Sequence, residues 1–183
     1  MTMRSAPASN MVWVMLLVVV SIVMTLGFAC VAPFAGFAAF AALTLPRREG
    51  LLAVLGIWLA NQVAGFLFLH YPLTIECCAW GAVLGLAIAL SLAAARFLGA
   101  RLASPGRATA GFAAFAAAFA VHQLFLLLTA AAVLGGVEDF AVRVELQALA
   151  INGGCFVGFL AVRWIADRAG LGEVRPRRFA LRA

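Results

Sequence analysis

Asn61 and Gln62 stand next to each other in an apolar run, with Trp58 one turn before Gln62. His122 and Gln123 lie midway along another run, and Asn152 in a third. Glu145, Asn152 and Cys155 share one face of that third run, because seven residues make nearly two helical turns. The connection HYPLTIECC gathers His70, Tyr71, Glu76, Cys77 and Cys78. Two chemistries fit these groups. Amides beside an indole offer hydrogen bonds and a stacking wall to a small ligand, which points to Trp58, Asn61, Gln62, His122, Gln123 and Asn152 as binding residues. Thiols with an imidazole suit a soft metal such as copper, zinc or cobalt, with Cys78 and His70 as candidate ligands. Neighbouring cysteines do not readily bridge to each other, whereas Cys30 could meet Cys78 in an oxidising compartment. Structural readings stand beside both. Amides bond across membrane helices without any ligand, a lone histidine sits neutral in a packed seam, and cysteine is a small apolar residue.

The elements that position these groups follow from composition. The chain has 183 residues, 66% hydrophobic and 11% charged, with a mean hydropathy of +1.11. A soluble domain is about half apolar and a quarter charged, so this chain cannot cover its exterior with polar groups. That excludes a soluble enzyme and a disordered chain, and makes lipid the solvent for about one domain. The net charge of +6 comes from 13 basic residues, all arginine, against seven acids. The arginines fall at the ends of apolar runs, as for membrane helices, and form no patch for nucleic acid. Four cysteines are too few for a disulfide scaffold. The chain has no C-x-x-C, zinc spacing, phosphate loop, G-x-S-x-G or H-E-x-x-H, so familiar enzyme chemistries lack a foothold and a non-enzyme is expected. No cofactor is indicated.

A helix needs about 20 apolar residues to cross a bilayer. Residues 51–70, 77–98, 108–134 and 146–166 each fit. Residues 11–45 are too long for one helix, and Gly27 and Pro33 predict a turn that divides them into two. A signal peptide is the rival reading, with Arg4 as its basic region and residues 11–26 as its core, but no A-x-A site follows. Arg47 and Arg48, then Arg96, Arg101 and Arg107, then Arg168, Arg175, Arg177, Arg178 and Arg182 all fall on one side of a six-span chain. Of the alternate connections, residues 70–76 have no arginine and residues 135–145 only Arg143. The positive-inside rule makes the rich side cytoplasmic. The expectation is an all-α integral membrane bundle of six transmembrane helices with both termini cytoplasmic, in a bacterial-type inner membrane. Residues 1–10 form a cytoplasmic segment, 11–168 a single transmembrane domain and 169–183 a basic tail.

Two small-residue stripes predict close packing: Cys77, Gly81, Gly85, Ala89 and Ala93, and Gly111, Ala114, Ala118 and His122. Trp13, Trp80 and Trp164 fit an interfacial belt, while Trp58 falls mid-membrane. At the inner end Arg163 is expected to pair with Asp167 as a snorkelling anchor. The heptapeptide GFAAFAA occurs at residues 36–42 and 111–117, read as coincidence in a chain so rich in Ala and Phe.

The polar residues lie in the middle or outer half of the membrane, so a cavity opening outward is expected. A compact six-helix protein with both ends cytoplasmic and such a pocket resembles an S component, the substrate-binding subunit of energy-coupling factor vitamin transporters. The small-residue A-x-x-x-A pattern of that family is supplied by Ala35 and Ala39, or Ala38 and Ala42, on the second helix rather than the first. The resemblance implies binding and reorientation of a vitamin-like solute, and docking on an energy-coupling transmembrane subunit with ATPases. Cobalamin is one candidate solute, because some solitary relatives ligate its cobalt with a cysteine, for which Cys78 is the match by chemistry. Two competing classes remain open. One is a metal-handling or redox protein built on Cys30, Cys77, Cys78, His70 and His122; the other is an assembly subunit without a ligand.

Overall fold

The computed structural model describes residues 7–28, 32–102 and 106–170, and these form an all-helical bundle. Its helices are α1 (Pro7–Phe28), α2 (Phe34–Thr44), α3 (Arg47–Leu67), α4 (Ile75–Arg101), α5 (Arg107–Thr129) and α6 (Val142–Arg168). A π-helical turn (Ala130–Leu134) extends α5, and a 3₁₀ turn (Val137–Phe140) precedes α6. Arg4, Cys30 and the basic tail lie outside the described residues, so the Cys30–Cys78 pairing and the tail's placement do too.

Local chemistry sets the helix ends. Leu45, held extended at ψ 144° by the proline that follows, stops α2, and Pro46 opens α3 where a missing N–H costs nothing. Thr74 caps α4 by accepting the Cys77 N–H at 3.2 Å. Gly135 and Gly136, with φ of 78° and 89°, turn the chain out of α5.

Residues 11–45 do divide between Phe28 and Phe34, but unequally. Among the described residues five helices are long and apolar enough to cross a membrane, and α2 is not one of them. Its 11 residues span about 16 Å at 1.5 Å each, half of a hydrocarbon core about 30 Å thick. The earlier count assumed that both pieces were full spans. Apolarity measured where they run, but not how far.

Side-chain contacts order the helices about two ends. At one end Arg96 of α4 donates to the carbonyls of Pro46 (3.0 Å) and Arg47 (3.3 Å), and Gly99 faces Ala114 of α5 and Leu43 of α2. The Arg163 guanidinium of α6 lies 5.1 Å from the Trp13 ring of α1 at this same end, and pairs with Asp167 at 3.5 Å as expected. This basic end therefore holds the starts of α1, α3 and α5 and the ends of α2, α4 and α6. The opposite end holds the α3–α4 connection, the π-turn, the 3₁₀ turn and the start of α6. Large apolar side chains such as Met11, Met15, Val19 and Val23 remain on the outside, where lipid would take them.

Short as it is, α2 forms the axis. It packs against α3, α4, α5 and α6, and every residue from Phe34 to Ala41 is buried. Phe37 and Phe40 meet Phe159 at 5.5 and 5.3 Å, and Trp13 reaches Phe40 at 5.6 Å. Gly36 lets α6 come so near that a β-carbon would lie 2.5 Å from the Asn152 carbonyl. Ala35, Ala38 and Ala39 are enclosed completely, which corrects the expectation that an A-x-x-x-A pattern here offers a docking surface. The α5 stripe is buried from Gly111 to His122 as expected. The α4 stripe packs differently: Gly81 and Gly85 seat the Gln62 and Trp58 side chains of α3, and Ala93 is exposed.

Candidate ligand-binding cavity

Where α2 begins at Phe34, no helix among the described residues continues along the axis toward the end opposite the arginines. The gap is a cavity of about 300 Å³. Its floor is Ala32, Phe34 and Asn152, and its walls come from α3, α4, α5 and α6. Tyr71 from the α3–α4 connection and Asp139 and Phe140 from the 3₁₀ turn stand around it. Ligand sites are typically concave and largely apolar with a few convergent polar groups, at the lower end about 300 Å³.

Asn61, Gln62, His122, Gln123 and Asn152 all line this one space, although three different helices carry them. Each amide is fixed. Asn61 Nδ2 donates to Thr25 Oγ1 at 3.1 Å, and Gln62 Nε2 to Asn61 Oδ1 at 3.1 Å. Gln123 Nε2 donates to both carboxylate oxygens of Glu145, at 2.8 and 2.7 Å. Asn152 Nδ2 donates to Ala148 O at 2.9 Å, while its Oδ1 accepts the Gly36 N–H at 3.0 Å. Asn152 therefore closes the first turn of α2 and floors the cavity together. His122 is 5% exposed and turns Nδ1 toward Ser91 Oγ at 3.5 Å, with the Phe34 ring edge-on at 6.0 Å. The Ala87 carbonyl is a further hydrogen-bond partner of this ring.

The two central tryptophans exchange the roles expected of them. Trp58 is not a wall of the cavity, because its indole N–H donates to the Gly81 carbonyl at 2.7 Å and its ring lies against Gly85. A glycine-lined groove on α4 holds it between helices. Trp80, assigned to an interfacial belt, lines the cavity instead. One turn of α4 separates Cys77 from Gly81, so the turn that presents Gly81 also presents Cys77 and Trp80 to the cavity.

The metal reading meets similar geometry. Cys77 lines the cavity, whereas Cys78 is exposed, so the thiol chosen as a ligand faces away. His70 is exposed in a left-handed turn at φ 55°, where it ends the α3 connection. Neither belongs to a group of three or more His, Cys, Asp or Glu side chains, of which the described residues contain none. Cys155 shares its helical face with Asn152 but is buried in the α2 core, below the cavity.

Sequence reasoning missed Asp139, Phe140 and Trp80 as lining residues, and grouped Tyr71 with the outer polar residues without naming it a binding residue. It placed Glu145 on the right face of α6 without assigning it a role. The 3₁₀ turn has a signal in the sequence, two glycines and, after Val137, two acids. The chain matches no family model, no curated protein and no solved structure.

Proposed function

We propose that the chain is a multi-pass membrane transport protein that binds a small organic solute in this cavity, in the manner of an S component. The observation that carries the reading is the half-length central helix. By stopping midway, α2 leaves a polar, aromatic-lined space where a bundle of full-length helices would have a packed core. The positive-inside rule assigns the arginine end to the cytoplasm, which puts the cavity in the outer half of a bacterial-type inner membrane. On that assignment α1 begins and α6 ends inside, and α2 belongs to the second of six passes.

The proposed action is binding and reorientation rather than catalysis. A solute entering from outside would meet Trp80 and Tyr71 and hydrogen-bond the fixed amides, which cost little further ordering on binding. A cavity of about 300 Å³ suits a one- or two-ring solute. A corrinoid would have to lie across the mouth, with Cys77 rather than Cys78 as the thiol within reach. An energy-coupling partner belongs to this reading and would engage an outer face, because α2 is enclosed.

Native mass spectrometry of the detergent-extracted full-length protein tests the reading. The expected result is an organic small molecule that copurifies with wild type and is lost from Trp80→Ala. Protein free of any small molecule, with solute uptake unchanged by Trp80→Ala and Gln62→Ala, overturns it.

A further inference from the structure

The cavity's polar groups are unbalanced in a way that specifies the charge of its guest. Glu145 and Asp139 both line it, and none of the described arginines does. The ion pair between Arg163 and Asp167, at the far end of the bundle, involves neither. Glu145 is oriented by Gln123, an amide that supplies hydrogen bonds but no compensating charge. Glu145 is half-buried in the wall and Asp139 is exposed at the rim, so their negative charge faces the entrance and attracts a cationic guest.

Hydrogen bonding has the same bias. The amide nitrogens of Asn61, Gln62, Gln123 and Asn152 are engaged with protein acceptors. The Glu145 and Asp139 carboxylates stand on the cavity lining as acceptors. A guest that donates hydrogen bonds is matched by them.

The walls add aromatic faces from Trp80, Tyr71, Phe34 and Phe140. Such faces attract cations through the ring quadrupole, most strongly when water is excluded. The mouth extends the bias, since among the described residues this end of the bundle carries Glu76, Glu138, Asp139 and Glu145 against Arg143. One feature opposes it: the positive end of the α2 dipole reaches the floor. There the Phe34 N–H is taken by Ala32 O at 2.8 Å and the Gly36 N–H by Asn152 Oδ1 at 3.0 Å, which leaves less for an anion.

We propose that the solute is an organic cation, an amine or quaternary ammonium. Its charge rests against Glu145 and Asp139, and its apolar body against Trp80 and Phe140. The inference rests on the solute-binding reading above. It narrows that reading from any vitamin-like molecule to one that carries a positive nitrogen.

The test is a charge series on the purified full-length protein in detergent, read as thermal stabilisation and titrated for Kd. The probes are benzyltrimethylammonium, benzyl alcohol and benzoate, with sodium chloride titrated alone as the inorganic control. The expected order is benzyltrimethylammonium well ahead of benzyl alcohol, with benzoate inactive. Glu145→Gln should weaken the cation about tenfold and Asp139→Asn by less, with a smaller effect of either on benzyl alcohol. The wild-type series stands on its own should either variant fold poorly. Benzoate or benzyl alcohol binding as well as the cation, with Trp80→Ala abolishing it, overturns the charge assignment and keeps the cavity as a binding site. Stabilisation by sodium equal to that by benzyltrimethylammonium overturns the organic cation in favour of a bare ion. No probe binding at all overturns this inference and the solute-binding reading together.

Discussion

The two halves of the bundle axis are built from the same four surrounding helices and reach opposite outcomes. In the half toward the arginines, α2 fills the centre with Phe37, Phe40 and close-fitting alanines, and the core there is apolar. In the other half the centre is open, and Asn61, Gln62, His122, Gln123, Glu145 and Asn152 surround it. The helix that ends at Phe34 makes the difference, more than the overall composition of the walls. Packing holds the molecule together in one half, and the other is left free to exchange contents with the outside.

Substitutions sharpen this division, and the largest effect belongs to the filled half. Phe37→Ala should cost about 3–5 kcal/mol, lowering the melting temperature in detergent by about 6 °C or more. Ligand binding below the transition should remain. Retained stability would mean that the axis is not packed as described. Asn152→Ala acts at the border, where it strands the Gly36 N–H. A loss of about 1–3 kcal/mol is expected, together with weaker solute binding in the same titrations. An effect on binding alone would detach Asn152 from α2.

The tryptophans divide the two outcomes between them. Trp58→Ala should lower thermal stability by about 1–3 kcal/mol through the lost bond to Gly81 and the space left in the α4 groove, with a small change in binding. Trp80→Ala should reverse the pattern, weakening binding while stability changes by about 1 kcal/mol or less. The opposite ranking would return the stacking wall to α3. The smallest effect is expected from Phe112→Ala, within about 0.5 kcal/mol by the same melting measurement. Phe112 is the counterpart of Phe37 in the repeated heptapeptide, so the pair compares one local sequence in two settings.

That heptapeptide also shows how far sequence could be read. Phe37 is fully buried and Phe112 is 77% exposed, although the seven residues around them are identical. Periodicity could not separate them, because a segment made of Ala, Phe and Gly is apolar on every side. Burial was decided by what surrounds each copy. The span positions and the α5 stripe were legible because long apolar runs and small residues at four-residue spacing have few alternative uses. The polar residues of the cavity were legible for a related reason, since Asn61, Gln62, His122, Gln123 and Asn152 stand out against lipid. The tryptophans were misread because sequence depth does not reveal direction, and Gly81 and Gly85 open their groove toward Trp58 only once α3 and α4 pack. Asp139 and Phe140 were hidden in a turn whose return over the cavity is a property of three-dimensional closure.

The enclosed position of α2 has a consequence for how the chain is made. Synthesis runs from the N-terminus, so α2 leaves the ribosome before α3, α4, α5 and α6, the helices that will surround it. Until α6 arrives, the Gly36 N–H lacks its acceptor on Asn152, and a helix of 11 residues is too short to cross the bilayer by itself. The centre of this molecule is therefore among its first parts to be synthesised and the last to be sealed.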